Sequence, residues 1–187
     1  MRKKIGIGFA VVIALLVVVI ATRPAEFRIE RSVEVAAAPA AVYPHLVDFH
    51  AWANWSPWDK LDLGMKRTFS GAPVGKGAVY EWSGNDKVGS GRMEITDVRE
   101  NAQVNIKLDF ITPFKASNLT EFTVTPSGAG SKITWAMTGQ NNFMSKAFSL
   151  VMNMDKMVGG DFEKGLAELK KLAEAKAPPA GTAAKAP

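Results

Sequence analysis

A chain of 187 residues, 47% hydrophobic and 22% charged, is sufficient for one globular domain with a sizeable core. It has no cysteine, which excludes disulfides and thiolate metal sites, and its two histidines, His45 and His50, argue against zinc. The net charge of +5 sits at the ends, +4 over residues 1–23 and +1 over residues 174–187; the neutral middle argues against nucleic acid, which would need a basic patch in the folded part.

In "MRKKIGIGFAVVIALLVVVIATR", three basic residues precede an uncharged run from Ile5 to Thr22. As a helix that run reaches about 27 Å, near the thickness of a hydrocarbon core. Residues 1–23 are therefore expected to be an uncleaved single-pass anchor in the cytoplasmic membrane, N-terminus inside and domain on the outer side. Val19-Ile20-Ala21 also offers a cleavage site, so secretion after signal removal is the alternative.

The folded domain is expected over residues 24–176. "FRIERSVEV" alternates Phe27, Ile29, Val33 and Val35 with polar neighbours, a half-buried strand broken by Arg31. Pro39 suits a helix start and Pro44 cannot lie deep inside one, so short helices follow, the second near Phe49. "WANWSPWDK" then gathers Trp52, Trp55 and Trp58 at a helix end and turn. Those rings could seal one end of the core, touch a ligand, or face an interface.

Alternation returns at Met65–Phe69, Ala78–Trp82, Met93–Ile95, Val104–Phe110 and Ile133–Met137, within an expected total of about seven strands. Separators such as "SGAPVGKG", "SGNDK", "REN" and "PSGAG" are turn chemistry, predicting an antiparallel meander. "GAPVGKG" lacks the spacing of a phosphate loop and the Ser or Thr after its lysine, and reads as a hairpin turn.

From Phe143 to Leu172 apolar residues step by three and four, marking an amphipathic helix interrupted at Gly159-Gly160. The glycines signal a bend, a close approach to the sheet, or a boundary between two helices. Met137, Met144, Met152, Met154 and Met157 are either core filler or the lining of an adaptable pocket. "AKAPPAGTAAKAP" cannot build a core, so residues 177–187 read as a tail.

Strand parity leaves the inward face nearly free of ionisable groups. Tyr80, His45, His50 and Asp59 remain as candidates for acid–base work, none with a partner evident from sequence, so no catalytic residue is assigned.

The order of elements, with "WANWSPW", "FSGAPVGKGAVYEWSGNDKVGSGRMEI" and "GGDFEKGLAELK", resembles the SRPBCC superfamily over roughly residues 26–173. Its bacterial members are START-like proteins of the polyketide cyclase/dehydrase and lipid-transport type. The resemblance implies an α+β helix-grip fold: a curved antiparallel sheet around a long C-terminal helix, two short helices after the first strand, and an internal apolar cavity.

The expected function is membrane-anchored binding of a hydrophobic or lipid-like small molecule, without catalysis and without a cofactor or metal. Its lining would be Trp52, Trp55, Trp58, Tyr80, Trp82, Phe110, Trp135 and Phe148. A cyclase/dehydrase-like enzyme and a structural or envelope-stress protein with a closed cavity are the alternatives. The sequence names no protein partner.

Overall fold

The computed structural model describes residues 2–176. Helix α1 (Arg2–Ala21) is followed by strand β1 (Glu26–Val35), the short helices α2 (Pro39–Val42) and α3 (Pro44–Val47), and 3-10 turns over Phe49–Asn54 and Trp58–Lys60. Strands β2 (Lys66–Gly71), β3 (Ala78–Ser83), β4 (Ser90–Arg99), β5 (Gln103–Thr112), β6 (Ala116–Ser127) and β7 (Gly130–Gln140) come next. Helices α4 (Phe143–Phe148) and α5 (Met154–Lys176) close the domain.

The seven strands form one antiparallel sheet in the order β1-β7-β6-β5-β4-β3-β2, the meander expected from the short turns with β1 added beside β7. Irregular register at Ser90/Gly91 and Ile95/Asp97 in β4 locally bends the sheet. The α5 stripe of Phe162, Leu166, Leu169 and Ala173 is buried with the inward residues of the sheet in one core. This is the helix-grip arrangement.

Strand β6 is the one that alternation does not mark, because its inward positions begin with Ala116, Asn118 and Thr120 while Leu119 faces out at 48% exposure. Pairing with β5 and β7 overrides the local pattern.

The helix break also falls elsewhere than the glycines suggest. Residues 149–153 separate α4 from α5, with Asn142 and Asn153 accepting from the N–H of Ser145 and Lys156 at the two helix starts. Helix α5 runs unbroken through Gly159-Gly160.

A Cβ on Gly159 would collide with the Arg31 guanidinium, so this glycine admits the one charged side chain that β1 turns inward. Arg31 then pairs with Asp155 at 3.0 Å and Glu163 at 2.7 Å, one helical turn to either side of the glycine. The odd residue in the strand and the odd residue in the helix have one cause.

The single-pass anchor is not borne out. Among the described residues no helix is long and apolar enough to cross a membrane. Helix α1 stops at Ala21, where the Thr22 hydroxyl donates to the carbonyls of Val18 and Val19. The uncharged part, residues 5–21, would reach about 26 Å, short of a core of about 30 Å. Ile20 is buried and Lys146 Nζ donates to the Ala21 carbonyl at 3.4 Å, so the end of α1 docks on α4. The membrane location expected from this segment falls with it. The expected tail, residues 177–187, lies outside the described residues.

Candidate functional site

Cross-strand register arranges the inward side chains in rows. Arg31, Trp135, Phe122 and Val104 form one; Ile29, Met137, Thr120 and Ile106 form the next; Phe27, Gly139, Asn118, Leu108, Met93 and Tyr80 form a third. The last joins Phe110, Gly91, Trp82 and Arg67. In the first two rows every residue but Arg31 is buried, whereas Phe27, Asn118, Leu108, Phe110 and Trp82 are only half-buried.

The apolar stripe of the helix is exposed at the same end, although Arg31 holds Asp155 there. Helical spacing carries the α5 stripe back from Phe162 and Val158 to Met157 and Met154, yet these two are 48% and 42% exposed. The inward row beyond the start of α5 is thus left partly open, and this open end of the concave face is the candidate cleft. Helix α4 lies near its rim, with the Phe148 ring 6.2 Å from Phe114 in the turn between β5 and β6.

The floor of the cleft is paved by rings lying over glycines. Trp82 covers Gly91, where a Cβ would meet the indole, and Phe27 covers Gly139. The Trp82 ring meets Phe110 edge-on at 6.0 Å, and its indole N–H donates to the Val88 carbonyl.

The eight residues expected at a binding site divide into groups. Trp52, Trp55, Trp58 and Trp135 join Phe122 and Phe162 in a packed aromatic cluster, with Trp135 stacked on Phe162 at 4.1 Å. Trp52 and Trp55 donate their indole N–H groups to the carbonyls of Leu46 and His45. Trp82 and Phe110 line the cleft floor, Tyr80 stands between floor and core, and Phe148 is on α4, 42% exposed.

One polar atom in this cluster stands apart. The Trp135 indole N–H is buried and has no hydrogen-bond partner among the described residues. Such a donor costs about 1–3 kcal/mol.

The methionines are not core filler as a group. Met137 is buried, but Met144, Met152, Met154 and Met157 are between 42% and 56% exposed. Phe27 and Leu108 lie on apolar faces that alternation marks and Asn118 does not, but the partial exposure of all three depends on where α5 begins.

At the β2 edge, Asp59 is 8% exposed and accepts from Arg67 Nε at 2.7 Å. The Tyr80 phenol lies beside this pair. Burial, reinforced by the Asp59 charge, pushes the phenol up to about 12, with Arg67 opposing. At neutral pH it can donate a proton in a hydrogen bond but cannot serve as a base. His50, 3.0 Å from Asp48 and stacked on Phe69, is outside this group.

The phenol shift gives a direct expectation. Tyr43, raised by burial and Glu100, and Tyr80 are the two tyrosines, so an absorbance titration should show both ionising above the ordinary value of about 10, Tyr80 near 12. Tyr80→Phe should remove the later step. Between about 10 and 12 the folded state holds a proton that the unfolded chain has lost. The Tyr80 contribution to stability should therefore be constant below about pH 10 and fall across that window, which urea melts of the unaltered chain and Tyr80→Phe at several pH values would check.

Other depressions differ in character. One of about 700 Å³ mixes outward residues such as Glu26, Arg28, Lys107 and Leu119 with Phe27, Asn118 and Gly139 of the third inward row. Another of about 210 Å³ lies between His50, Phe69 and the β2–β3 turn. The open end of the concave face borders the first depression through Phe27, Asn118 and Gly139 and differs from it in its apolar side chains Leu108, Phe110 and Trp82.

Comparison with known proteins agrees with this architecture. The family model described as polyketide cyclase / dehydrase and lipid transport matches residues 26–174. A solved protein from Chromobacterium violaceum is 16% identical with a TM-score of 0.56, covering 81% of this chain and 98% of that one. The Aha1 dimer from Colwellia psychrerythraea is 12% identical with a TM-score of 0.56, covering 79% and 96%. The di-domain ARO/CYC StfQ from the steffimycin biosynthetic pathway is 12% identical with a TM-score of 0.58, covering 81% of this chain and 51% of that one. At such identities the likeness concerns the fold alone. No match was found among curated proteins.

Proposed function

The chain belongs to the polyketide cyclase / dehydrase and lipid transport family, and from that membership we propose that it binds a hydrophobic or lipid-like small molecule in the cleft between the open end of the sheet and the start of α5, without transforming it. The observation that carries this reading is the simultaneous exposure of both walls. Leu108 and Phe110 on the sheet are only half-buried and Met154 and Met157 on the helix are exposed at the same end, whereas the two neighbouring inward rows from Ile29 to Ile106 and from Trp135 to Val104 are buried.

An apolar chain laid between those walls would remove their surface from water at about 25 cal/mol per Å², before ordering costs. Thioethers adapt to ligands of varied shape, which suits methionines on the mobile-contact side of such a cleft. Trp82 and Phe110 supply rigid rings on the other. The packed cluster of Trp52, Trp55, Trp58 and Trp135 would form the inner end rather than a wide wall.

A second reading draws on the buried Asp59–Arg67 pair beside Tyr80, which offers an enzyme a fixed charge pair and a proton donor. Loss of turnover in Tyr80→Phe with ligand affinity intact would favour it.

Native mass spectrometry of the full-length chain from its own host, followed by organic extraction of any adduct, tests the binding reading. A stoichiometric apolar adduct is the expected result. A clean mass for the protein alone, with no uptake of added alkyl ligands, would count against it and favour a domain closed by its own side chains.

A further inference from the structure

The orphan indole of Trp135 lies one row beyond Met137, on the strand that leads inward from the cleft. Along β7 the inward residues are Gly139, half-buried in the cleft row, then Met137, then Trp135. Beside them β6 places Asn118 opposite Gly139 and Thr120 opposite Met137, the latter 3% exposed. Polar character thus enters an apolar face along one short diagonal, and it ends on a buried donor with no acceptor among the described residues. The other buried tryptophans of the cluster have carbonyl acceptors within the protein.

The charge of the surroundings narrows what could accept that bond. The cations at inward positions of the sheet are Arg31 and Arg67, and both are committed, Arg31 to Asp155 and Glu163 and Arg67 to Asp59. A carboxylate or phosphate brought to this place would be desolvated with no uncommitted cation among the sheet's inward residues, which strongly opposes its burial. A neutral oxygen needs only the N–H.

We propose that the ligand of the cleft carries an uncharged oxygen, a carbonyl or a hydroxyl, at its inner end, and that the Trp135 indole N–H donates a hydrogen bond to it. The inference rests on the cleft being the binding site. Met137 stands between the cleft row and the donor, and its unbranched thioether is the side chain best able to turn aside as the chain of the ligand enters. The expected ligand class is therefore a neutral alkyl ketone, ester or alcohol, in preference to a fatty acid anion.

The test uses the full-length chain with ¹⁵N-labelled tryptophan, whose five indoles each give an N–H resonance. The Trp135 signal is assigned from its contacts with the Phe122 and Phe162 rings and by its loss in Trp135→Phe. The probes are 2-decanone, decane and decanoate. Decanone should move the Trp135 resonance downfield and bind roughly 3- to 10-fold more tightly than decane, the worth of one net hydrogen bond. Decanoate should bind more weakly than decanone, and in Trp135→Phe, where the ketone oxygen would be buried without a donor, decanone should lose its advantage and bind no more tightly than decane.

If decane and decanone bind equally to the unaltered chain and the Trp135 resonance stays in place, the donor has no part in recognition while the binding reading stands. Tighter binding of decanoate would likewise overturn the neutral-oxygen assignment. If none of the probes binds, the cleft itself is refuted. Should Trp135→Phe fail to fold, the ratio of affinities and the indole shift in the unaltered chain decide the matter alone.

Discussion

Replacing Phe162 by alanine is expected to destabilise the domain by about 3–5 kcal/mol, lowering the melting temperature by roughly 10 °C for a domain of this size. Phe162 is 1% exposed and its ring lies parallel to Trp135 at 4.1 Å, with Trp58 edge-on at 6.3 Å. It is the side chain through which α5 closes the middle of the grip. Gly165, a turn later, leaves no slack: a Cβ there would stand 2.9 Å from the Trp135 ring.

Neither helix nor sheet can close up around the missing ring, so most of its volume would remain as a cavity lined by aromatics. Thermal and urea melts would measure the loss. A change below about 1 kcal/mol would mean that the Trp135–Phe162 stack does not hold the helix, and the separation of a packed core from an open cleft would need revision.

Phe110→Asp addresses the cleft itself and is expected to weaken binding of an apolar ligand by about 100-fold or more. Phe110 is half-buried, at the last inward position of β5 before the turn, opposite Gly91 and edge-on to Trp82. A carboxylate at that point would have to lose water for an alkyl chain to lie against it, a cost of several kcal/mol at about 1.4 kcal/mol per tenfold change in affinity. Partial exposure keeps the effect on folding small, in contrast to Phe162.

Displacement of a fluorescent fatty alcohol would read the affinity, and circular dichroism would confirm that the fold is kept. Unchanged binding in a folded Phe110→Asp protein would place the ligand elsewhere. The two substitutions thus separate roles that the aromatic content of the chain leaves merged: one ring holds the core, the other faces what enters.

The Arg31 network has a similar lesson. A charged residue on an apolar strand face and a glycine pair within a helix look like two unrelated faults in pattern. Together they let a guanidinium sit against the α5 backbone between two carboxylates, pinning the start of the helix to β1. That contact sets where α5 begins to cover the sheet, and hence where the cleft opens.

Alternation of period two, turn residues between short strands and a final period of three to four were sufficient to read six of the seven strands, an antiparallel meander and a long covering helix. These are local signals: each depends on which face of an element is apolar, and burial on one face leaves that mark in the order of residues. The division of the tryptophans, the course of α5 through Gly159-Gly160 and the strand β6 were decided by tertiary structure. Trp52 and Trp135 are 83 positions apart in numbering yet share a cluster with Phe122, and no local pattern distinguishes them from Trp82 on the cleft floor. The reach of α1 likewise depended on where a threonine hydroxyl and a docking lysine end the helix, not on hydropathy alone. Register across strands and the point at which a helix meets a sheet are non-local quantities, so the sequence by itself determined the grip, and only the packed structure decided which of its rings close the core and which remain for a ligand.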